Sequence, residues 1–251
     1  MSEIPRIALY ADTFHELNGA ANFLRRLVDF AQKNDYPFLC LRSGEQTGLT
    51  KDGSVRFLDL ERCRFSIPLD GSLKYDPFLW KKRKLIKKSV EEFAPDVIHI
   101  TGLNDISQFG YIHAHFMNIP AVATWHTNTH EYVARRFLNL LPRLPENFGQ
   151  KIGRAIERTT MFGLMKLCFL AQMHLAPNEE LVEEIRRLTR RPSFLLGRGV
   201  DTDFLSPEKR RRGEVSLFSV LSADCDRKKT CGFSSSSNKR CGKPELKITN
   251  F

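Results

Sequence analysis

The stretch that decides the fold runs from Pro95 to Tyr132 and reads PDVIHITGLNDISQFGYIHAHFMNIPAVATWHTNTHEY. Val97–Ile100 is a short β-branched run, Asp105–Met117 carries apolar residues at helical spacing, and Ala121–Trp125 is a second short apolar run. Two short strands joined through a helix predict a right-handed parallel βαβ unit. Ligands of such sheets bind at the carboxyl ends of the strands. The polar segment that begins at His126 therefore indicates where to look for function.

The same alternation extends toward the N-terminus. The sequence predicts a strand at Arg6–Tyr10, a helix at Ala20–Lys33, strands at Pro37–Leu41 and Val55–Leu58, and a loop at Ser43–Ser54.

Toward the C-terminus, the sequence predicts a strand at Met173–Ala176, a helix that follows the N-cap Asn178 and runs to about Arg191, and a strand at Pro192–Leu196. Alternating strands and helices indicate one α/β domain with a doubly wound parallel, Rossmann-like sheet over residues 1–212.

The composition favours anionic partners. The chain has 251 residues, a formal net charge of +10 and 41% hydrophobic residues, which suffice for a core. The positive charge suits nucleotide phosphates or acidic lipid headgroups. No run is long enough to span a membrane and the N-terminus lacks a signal-peptide pattern, so we expect a cytoplasmic protein. Cys40, Cys63 and Cys168 lie far apart, which indicates reduced thiols rather than a disulfide framework.

A predicted helix at Tyr75–Phe93 has a strongly basic face, which includes Lys81, Lys82 and Lys84. One interpretation is a surface helix whose charges are solvated. The alternative is peripheral contact with an anionic membrane, with Trp80 at the interface. Nucleic acid is disfavoured because nothing in the sequence resembles a base-reading module.

The loop after the first strand also has two interpretations. Asn18-Gly19 precedes a predicted helix, whose free N–H groups and dipole suit phosphate binding, but the same pair is common in tight turns. The loop has neither the Gly-Lys-Ser/Thr of a P-loop nor a GxGxxG pattern. A nicotinamide-dependent enzyme is therefore disfavoured.

Several stretches, taken in order, resemble one enzyme family. They are ADTFHELNGAANFLRRL, PDVIHITGLNDISQFG, IPAVATWHTNTHEYVARR, APNEELVEEI and GRGVDTDFLSP, which begin at Ala11, Pro95, Ile119, Ala176 and Gly197. Their order and spacing resemble the N-terminal domain of family 4 retaining glycosyltransferases, which have the GT-B fold. The resemblance covers about residues 6–212.

In that family, two Rossmann-like domains face each other across a cleft. The first mainly holds the acceptor and the second binds the nucleotide-sugar donor. The resemblance implies transfer of a sugar, with retention, from a nucleotide-sugar to a lipid or small-molecule acceptor. It implies no cofactor besides that donor substrate. The alternative function is a non-enzymatic module that docks on an anionic membrane or a partner protein.

The resemblance also assigns site residues. His126 matches the active-site histidine of the family, and Asp12, at another strand end, is the second catalytic candidate. Asn18 and Gly19 match the loop that approaches the donor diphosphate. Arg198, where many relatives carry Asn, lies in the stretch that leads to the second domain and is a further donor-side candidate. The acceptor-side candidates are Asn128, His130, Glu131, Tyr132 and Arg135.

The histidines do not predict a metal site. His99 lies inside a strand, which is typical of a hydrogen-bonded core residue, and His113 and His115 point in different directions on one helix. His126 and His130 are four residues apart, but the glutamate follows the second histidine, so the HExxH motif is absent. From position alone, His126 is as compatible with a structural role as with a site role.

The tail at residues 213–251 has a different character. It contains Cys225, Cys231, Cys241 and a serine run, and its composition predicts disorder. A metal knuckle is disfavoured because the cysteines lack CxxC spacing. With freely chosen codons, a frame shifted by one nucleotide from Ser219 spells GFVGRLRPEKNVRFLLQLEQ, which resembles the opening of the family's donor domain. A frameshift or gene break is therefore our hypothesis, and without a donor domain we expect the isolated chain to be inactive.

Overall fold

A computed structural model of the chain describes residues 4–16, 18–70, 73–125, 159, 162–163 and 166–197. The strands are β1 (Ile7–Ala11), β2 (Phe38–Gly44), β3 (Gly48–Asp52), β4 (Val55–Glu61), β5 (Ile67–Asp70), β6 (Leu73–Tyr75), β7 (Val97–Ile100), β8 (Ala121–Thr124), β9 (Met173–Ala176) and β10 (Ser193–Leu195). The helices are α1 (Gly19–Lys33), α2 (Arg83–Phe93), α3 (Asp105–Phe116) and α4 (Glu179–Thr189), and a 3₁₀ turn at Leu79–Lys82 leads into α2.

One eight-stranded sheet dominates the described residues, in the order β10-β9-β8-β7-β1-β2-β4-β3. All neighbouring strands are parallel except the pair β3 and β4. Ile7 is in register with Phe38 of β2 on one side and with Val97 of β7 on the other. The chain thus builds the sheet outward from β1 in one direction and then in the other, which confirms the doubly wound α/β prediction. The reversal beside β1 is the place where such sheets bind ligands.

Strand β1 explains why both faces of the sheet are covered. Ala8 and Tyr10 face a buried cluster that includes residues of α2 and α3, whereas Leu9 and Ala11 face a second cluster with α1. Because side chains alternate along a strand, an apolar β1 requires helices on both sides. Gly110 lets α3 pack closely, since a Cβ there would lie 2.9 Å from Ile100 Cγ1 and 3.0 Å from Tyr10 Cγ.

Several local predictions are confirmed. Strands β7 and β8 are parallel and joined through α3. The Asn178 side chain caps α4 by accepting a hydrogen bond from Leu181 N at 2.8 Å. His99 is half-buried, with Nε2 2.6 Å from Thr124 Oγ1. Cys40, Cys63 and Cys168 are free thiols.

Two predictions were wrong. The segment Ser43–Ser54 is not a loop, because it contains the end of β2 and the whole of β3. Strand β3 lies at the sheet edge with mostly exposed residues, so it lacks the apolar alternation that identifies half-buried strands. The predicted helix Tyr75–Phe93 begins only at Leu79 as a 3₁₀ turn. Tyr75 ends β6, and Pro77-Phe78 forms the turn between β6 and the 3₁₀ turn.

The predicted domain boundary at residue 212 and the tail lie outside the described residues. Within the described part of the chain, no helix has the length and apolarity needed to cross a bilayer.

Candidate functional site

Asp12 lies directly after β1 and is buried, with 4% of its surface exposed. Its Oδ2 accepts a hydrogen bond from Asn104 N and its Oδ1 one from Ser107 N, each at 2.9 Å. The Asp12 carboxylate thereby caps α3, because the side chain of Asn104, the residue at the cap position, makes no capping bond. Burial raises the pKa of Asp12, and the hydrogen bonds to Ser107 and Asn104 lower it.

This geometry favours a positioning role for Asp12. A carboxylate that binds two backbone N–H groups fixes the end of β1 to the start of α3, on the two sides of the sheet reversal. Gly102 makes the approach feasible, since a Cβ at that position would lie 2.4 Å from Asp12 Oδ2. The catalytic role of Asp12 stays a prediction.

Asn18 and Gly19 lie at the N-terminus of α1. Asn18 is the N-cap, and its Oδ1 accepts a hydrogen bond from Ala21 N at 2.8 Å. Gly19 is the first residue of the helix. The helix begins beyond the carboxyl end of β1, as phosphate binding requires. Their contact with a donor stays a prediction.

The other predicted site residues lie outside the described residues. These are His126, Asn128, His130, Glu131, Tyr132, Arg135 and Arg198. Strand β8 ends at Thr124, so the polar segment does follow the carboxyl end of a parallel strand, as predicted. Trp125, the last described residue before it, is buried, and its backbone N–H donates to Leu175 O at 2.8 Å.

A cleft of about 950 Å³ opens at the carboxyl ends of β1, β2 and β4. The residues that line it are polar, charged or glycine, namely His15, Glu16, Ser43, Gly44, Glu45, Gln46, Thr47, Gly48, Thr50, Asp59, Glu61, Arg62 and Lys74. This wall of the site was not predicted, because the polar, glycine-bearing segment Ser43–Ser54 was expected to be a loop. The Gly53-Ser54 pair, where Gly53 has φ of 59°, forms the two-residue hairpin loop between β3 and β4 and was the local signal for it.

Arg62 ties the cleft to α3. Its guanidinium donates to Asp105 Oδ1 at 3.1 Å and to the Lys74 carbonyl, and the Arg62 and Asp105 side chains are only 11% and 2% exposed. Asp105 Oδ2 accepts a hydrogen bond from Asp76 N at 2.8 Å, and Asn104 Nδ2 donates to Lys74 O at 2.9 Å. Strands β4 and β6 are therefore attached to the same helix end that Asp12 caps.

The sequence of the chain matches a known protein family. The sequence model of Glycosyltransferase Family 4 matches residues 17–204, which is most of the chain. The chain belongs to glycosyltransferase family 4.

One relative with a known activity is distant in sequence. A GDP-mannose-dependent alpha-mannosyltransferase of Corynebacterium glutamicum is 23% identical over 207 residues. The match covers 82% of this chain but only 46% of that protein, so the chain spans about half the length of the curated relative.

Two solved structures have low overall similarity to this chain. Glycyrrhiza uralensis UGT73P12, complexed with glycyrrhetinic acid 3-O-monoglucuronide, gives a TM-score of 0.39 at 11% identity, with 76% of this chain and 48% of that chain covered. An alpha,alpha-trehalose-phosphate synthase (UDP-forming) from Burkholderia vietnamiensis gives 0.38 at 7% identity, with 75% and 43% covered.

The Arg62–Asp105 pair predicts that the free energy of unfolding of this chain depends on pH. Burial, together with the nearby Asp12 carboxylate, raises the pKa of Asp105 to about 6, although Arg62 lowers it. The pKa of an aspartate in an unfolded chain is about 3.9. Between these values the folded chain binds a proton that the unfolded chain does not, so the free energy of unfolding falls as pH rises through this window. The loss amounts to about 3 kcal/mol for a shift of about two pKa units and is complete above the folded pKa.

We therefore expect Asp105→Asn to remove this part of the pH dependence. Urea unfolding of both proteins between pH 4 and pH 7.5 measures it. The wild type should lose stability relative to the variant as pH rises, whereas parallel curves would contradict the raised pKa.

Proposed function

We propose that this chain is the acceptor-side half of a retaining hexosyltransferase, which transfers a sugar from a nucleotide-sugar to a lipid or small-molecule acceptor. The observation that carries the proposal is the polar cleft at the carboxyl ends of β1, β2 and β4, beside the sheet reversal. Family membership supports glycosyl transfer in general. The corynebacterial relative is GDP-mannose-dependent, which makes GDP-mannose the first donor to test.

In this proposal the described residues orient the acceptor rather than activate it. The cleft supplies carboxylates that accept hydrogen bonds from hydroxyl groups, and hydroxyls and amides that both donate and accept. Asp12 and Arg62 hold the strand ends that carry these groups in fixed positions. Such orientation accounts for a large part of catalysis when it is combined with a donor on the opposite side. His126, from its sequence position, is the proposed group near the transferred sugar.

A transfer assay with radiolabelled GDP-mannose and a lipid extract tests the proposal. The 251-residue chain alone should give negligible turnover, because the donor-side half is needed to enclose both substrates. The chain joined in frame to the C-terminal half of the corynebacterial relative should transfer mannose, and His126→Ala should lower the rate at least about 100-fold. Clear turnover by the chain alone would contradict the proposed division of labour.

A second candidate function is peripheral contact with an anionic membrane at the cytoplasmic face. The 3₁₀ turn and the start of α2 expose Trp80 (52%) and Phe78 (39%) beside the cations Lys81 and Lys84. Within the described residues, no carboxylate forms an ion pair with either lysine. Lys81 Nζ lies 4.8 Å from the centroid of the Phe78 ring. Exposed aromatic rings next to lysines that lack a carboxylate partner are typical of an interfacial surface.

The remaining lysines of this surface form hydrogen bonds or ion pairs within the chain. Lys82 is half-buried and its Nζ donates to Thr47 Oγ1. Lys87 pairs with Glu91 at 3.5 Å and Lys88 with Glu92 at 3.7 Å, one helical turn away in each case. The C-terminal half of α2 therefore presents paired charges, which suits the solvated interpretation of the basic face.

We expect Lys81→Gln, Lys82→Gln and Lys84→Gln together to weaken binding to phosphatidylserine-containing vesicles by about 10- to 100-fold, since each unpaired lysine near an anionic surface contributes about 1 kcal/mol. Vesicle sedimentation measures this. The matched control is Lys87→Gln with Lys88→Gln, which removes paired charges from the same helix and should have a smaller effect. Equal effects of the two sets would contradict a specific membrane surface.

A further inference from the structure

The cleft is lined by more acidic than basic side chains, although the chain as a whole is basic. The acidic side chains that line it are Glu16, Glu45, Asp59 and Glu61, whereas the lining cations are Arg62 and Lys74. The whole chain carries a formal net charge of +10. A basic protein that places four carboxylates and two cations around one cleft concentrates negative charge there.

The cations of the cleft are largely committed elsewhere. Arg62 forms an ion pair with buried Asp105, which neutralises the charge of the guanidinium group. His15 adds little positive charge, because burial and the nearby Arg42 lower its pKa. Asp59 is neutralised by Arg42, whose Nε lies 2.8 Å from Asp59 Oδ1. The charged lining residues that remain outside these ion pairs are Glu16, Glu45, Glu61 and Lys74. Lys82, which is not a lining residue, donates a hydrogen bond to Thr47 at the edge of the cleft.

Glu16 shows that the wall holds an unused hydrogen-bond acceptor. The residue is 7% exposed, and its Oε2 is buried without a hydrogen-bond partner in the described structure. Burial raises its pKa, although Arg62 and Arg25 lower it. A buried carboxylate oxygen without a partner is costly, but this oxygen is closed to solvent, so the carboxylates that a ligand can reach directly are those of exposed Glu45 and Glu61.

We propose that this cleft selects an uncharged or amino-bearing, hydroxyl-rich group of the acceptor, such as a sugar ring, and discriminates against a phosphate-bearing one. The inference rests on the proposed function, because it names the class of acceptor group that enters the same cleft. Hydroxyl groups donate to the exposed carboxylates of Glu45 and Glu61 and accept from the side chains of Ser43, Thr47 and Thr50. A phosphate would meet several like charges in a partly enclosed space. The volume of about 950 Å³ accommodates more than one sugar ring.

Three monosaccharides that share one ring and differ in charge test the selection. Glucosamine, glucose and glucose 6-phosphate are titrated separately into the full ¹⁵N-labelled chain at pH 7.5, and amide shifts of Gly44 and Gly48 report binding in the cleft. We expect glucosamine and glucose to bind and glucose 6-phosphate to bind about tenfold more weakly. Equal or tighter binding of glucose 6-phosphate overturns the proposal. Failure of all three to shift these amides at 200 mM, a concentration chosen as about the practical limit for weak ligands, overturns it too.

Charge-neutral variants identify the cause. Glu45→Gln with Glu61→Gln keeps the shape of two exposed side chains and removes two charges, and should reduce the discrimination between glucose and glucose 6-phosphate by about three- to tenfold. The matched control, Glu91→Gln with Glu92→Gln, removes two exposed carboxylates of α2 that do not line the cleft and should leave the ratio unchanged. An unchanged ratio in the first variant overturns the electrostatic explanation.

The two proposals fail in different ways. If glucose shifts the cleft amides but the joined protein transfers no sugar, the proposed function is wrong and the charge selection stands. If transfer occurs only onto phosphorylated acceptors, the function stands and the charge selection is wrong.

Discussion

Asp12→Ala is expected to lower the free energy of unfolding by about 2–4 kcal/mol. The substitution removes the carboxylate that accepts hydrogen bonds from Asn104 N and Ser107 N, and both N–H groups are then buried at a helix end without that partner. Asp12→Asn keeps one acceptor oxygen and should have an intermediate effect. Asp29→Ala, at an exposed position on α1, is the control and should change stability by less than about 0.5 kcal/mol.

Gly102 makes the test specific to this contact. Gly102→Ala places a methyl group 2.4 Å from Asp12 Oδ2, and because that carboxylate is held by two hydrogen bonds we expect a loss of about 1–3 kcal/mol. In the Asp12→Ala background the carboxylate is gone and the same methyl group lies 3.7 Å from the Cβ of residue 12, an ordinary contact, so the double variant should be hardly less stable than Asp12→Ala alone. Urea unfolding of the four proteins measures the coupling. Strictly additive losses would show that Asp12 does not hold the start of α3 in this way.

Arg62→Ala is expected to cost about 3–5 kcal/mol at pH 7.5, because it leaves Asp105 charged, buried and close to Asp12 without a buried cation. The cost should shrink below pH 6, where Asp105 takes up a proton. Unfolding at pH 5 and pH 7.5 measures both values.

Two further variants define the cause of the Arg62 effect. Arg64→Ala removes an exposed arginine two residues away and should be nearly neutral. Arg62→Ala combined with Asp105→Asn should recover part of the stability at pH 7.5, because the unpaired charge is gone. A double variant that is less stable than Arg62→Ala alone would contradict the assignment of the loss to the buried charge.

The sequence predicted those parts of the fold that depend on local patterns. The β7–α3–β8 unit follows from two short apolar runs and a helical spacing between them, and the Asn178 cap follows from one side chain at one position. Strand β3 lacks such a pattern, because its residues are exposed at the edge and only its pairing with β4 makes it a strand. The glycine of the two-residue loop Gly53-Ser54 was the available local signal.

The candidate site was less predictable because it depends on contacts between distant residues. Asp12 was selected for its place at a strand end, but its bond to Asn104 spans 92 residues, and no local pattern encodes it. Glu16 and Arg62 were not selected at all. Each is an ordinary charged residue in the sequence, and only the fold buries Glu16 in the cleft wall and sets Arg62 against Asp105.

The central claim is that the acceptor binds at the carboxyl ends of β1, β2 and β4. A maltose derivative carrying a nitroxide, added to the ¹⁵N-labelled chain, locates the site through distance-dependent broadening of amide signals. Binding in the cleft should selectively broaden the amide signals of residues 43–48 and 59–62, and excess unlabelled maltose should reverse the broadening. Reversible broadening confined to α4 and β10, with the amides of the cleft unaffected, would contradict it.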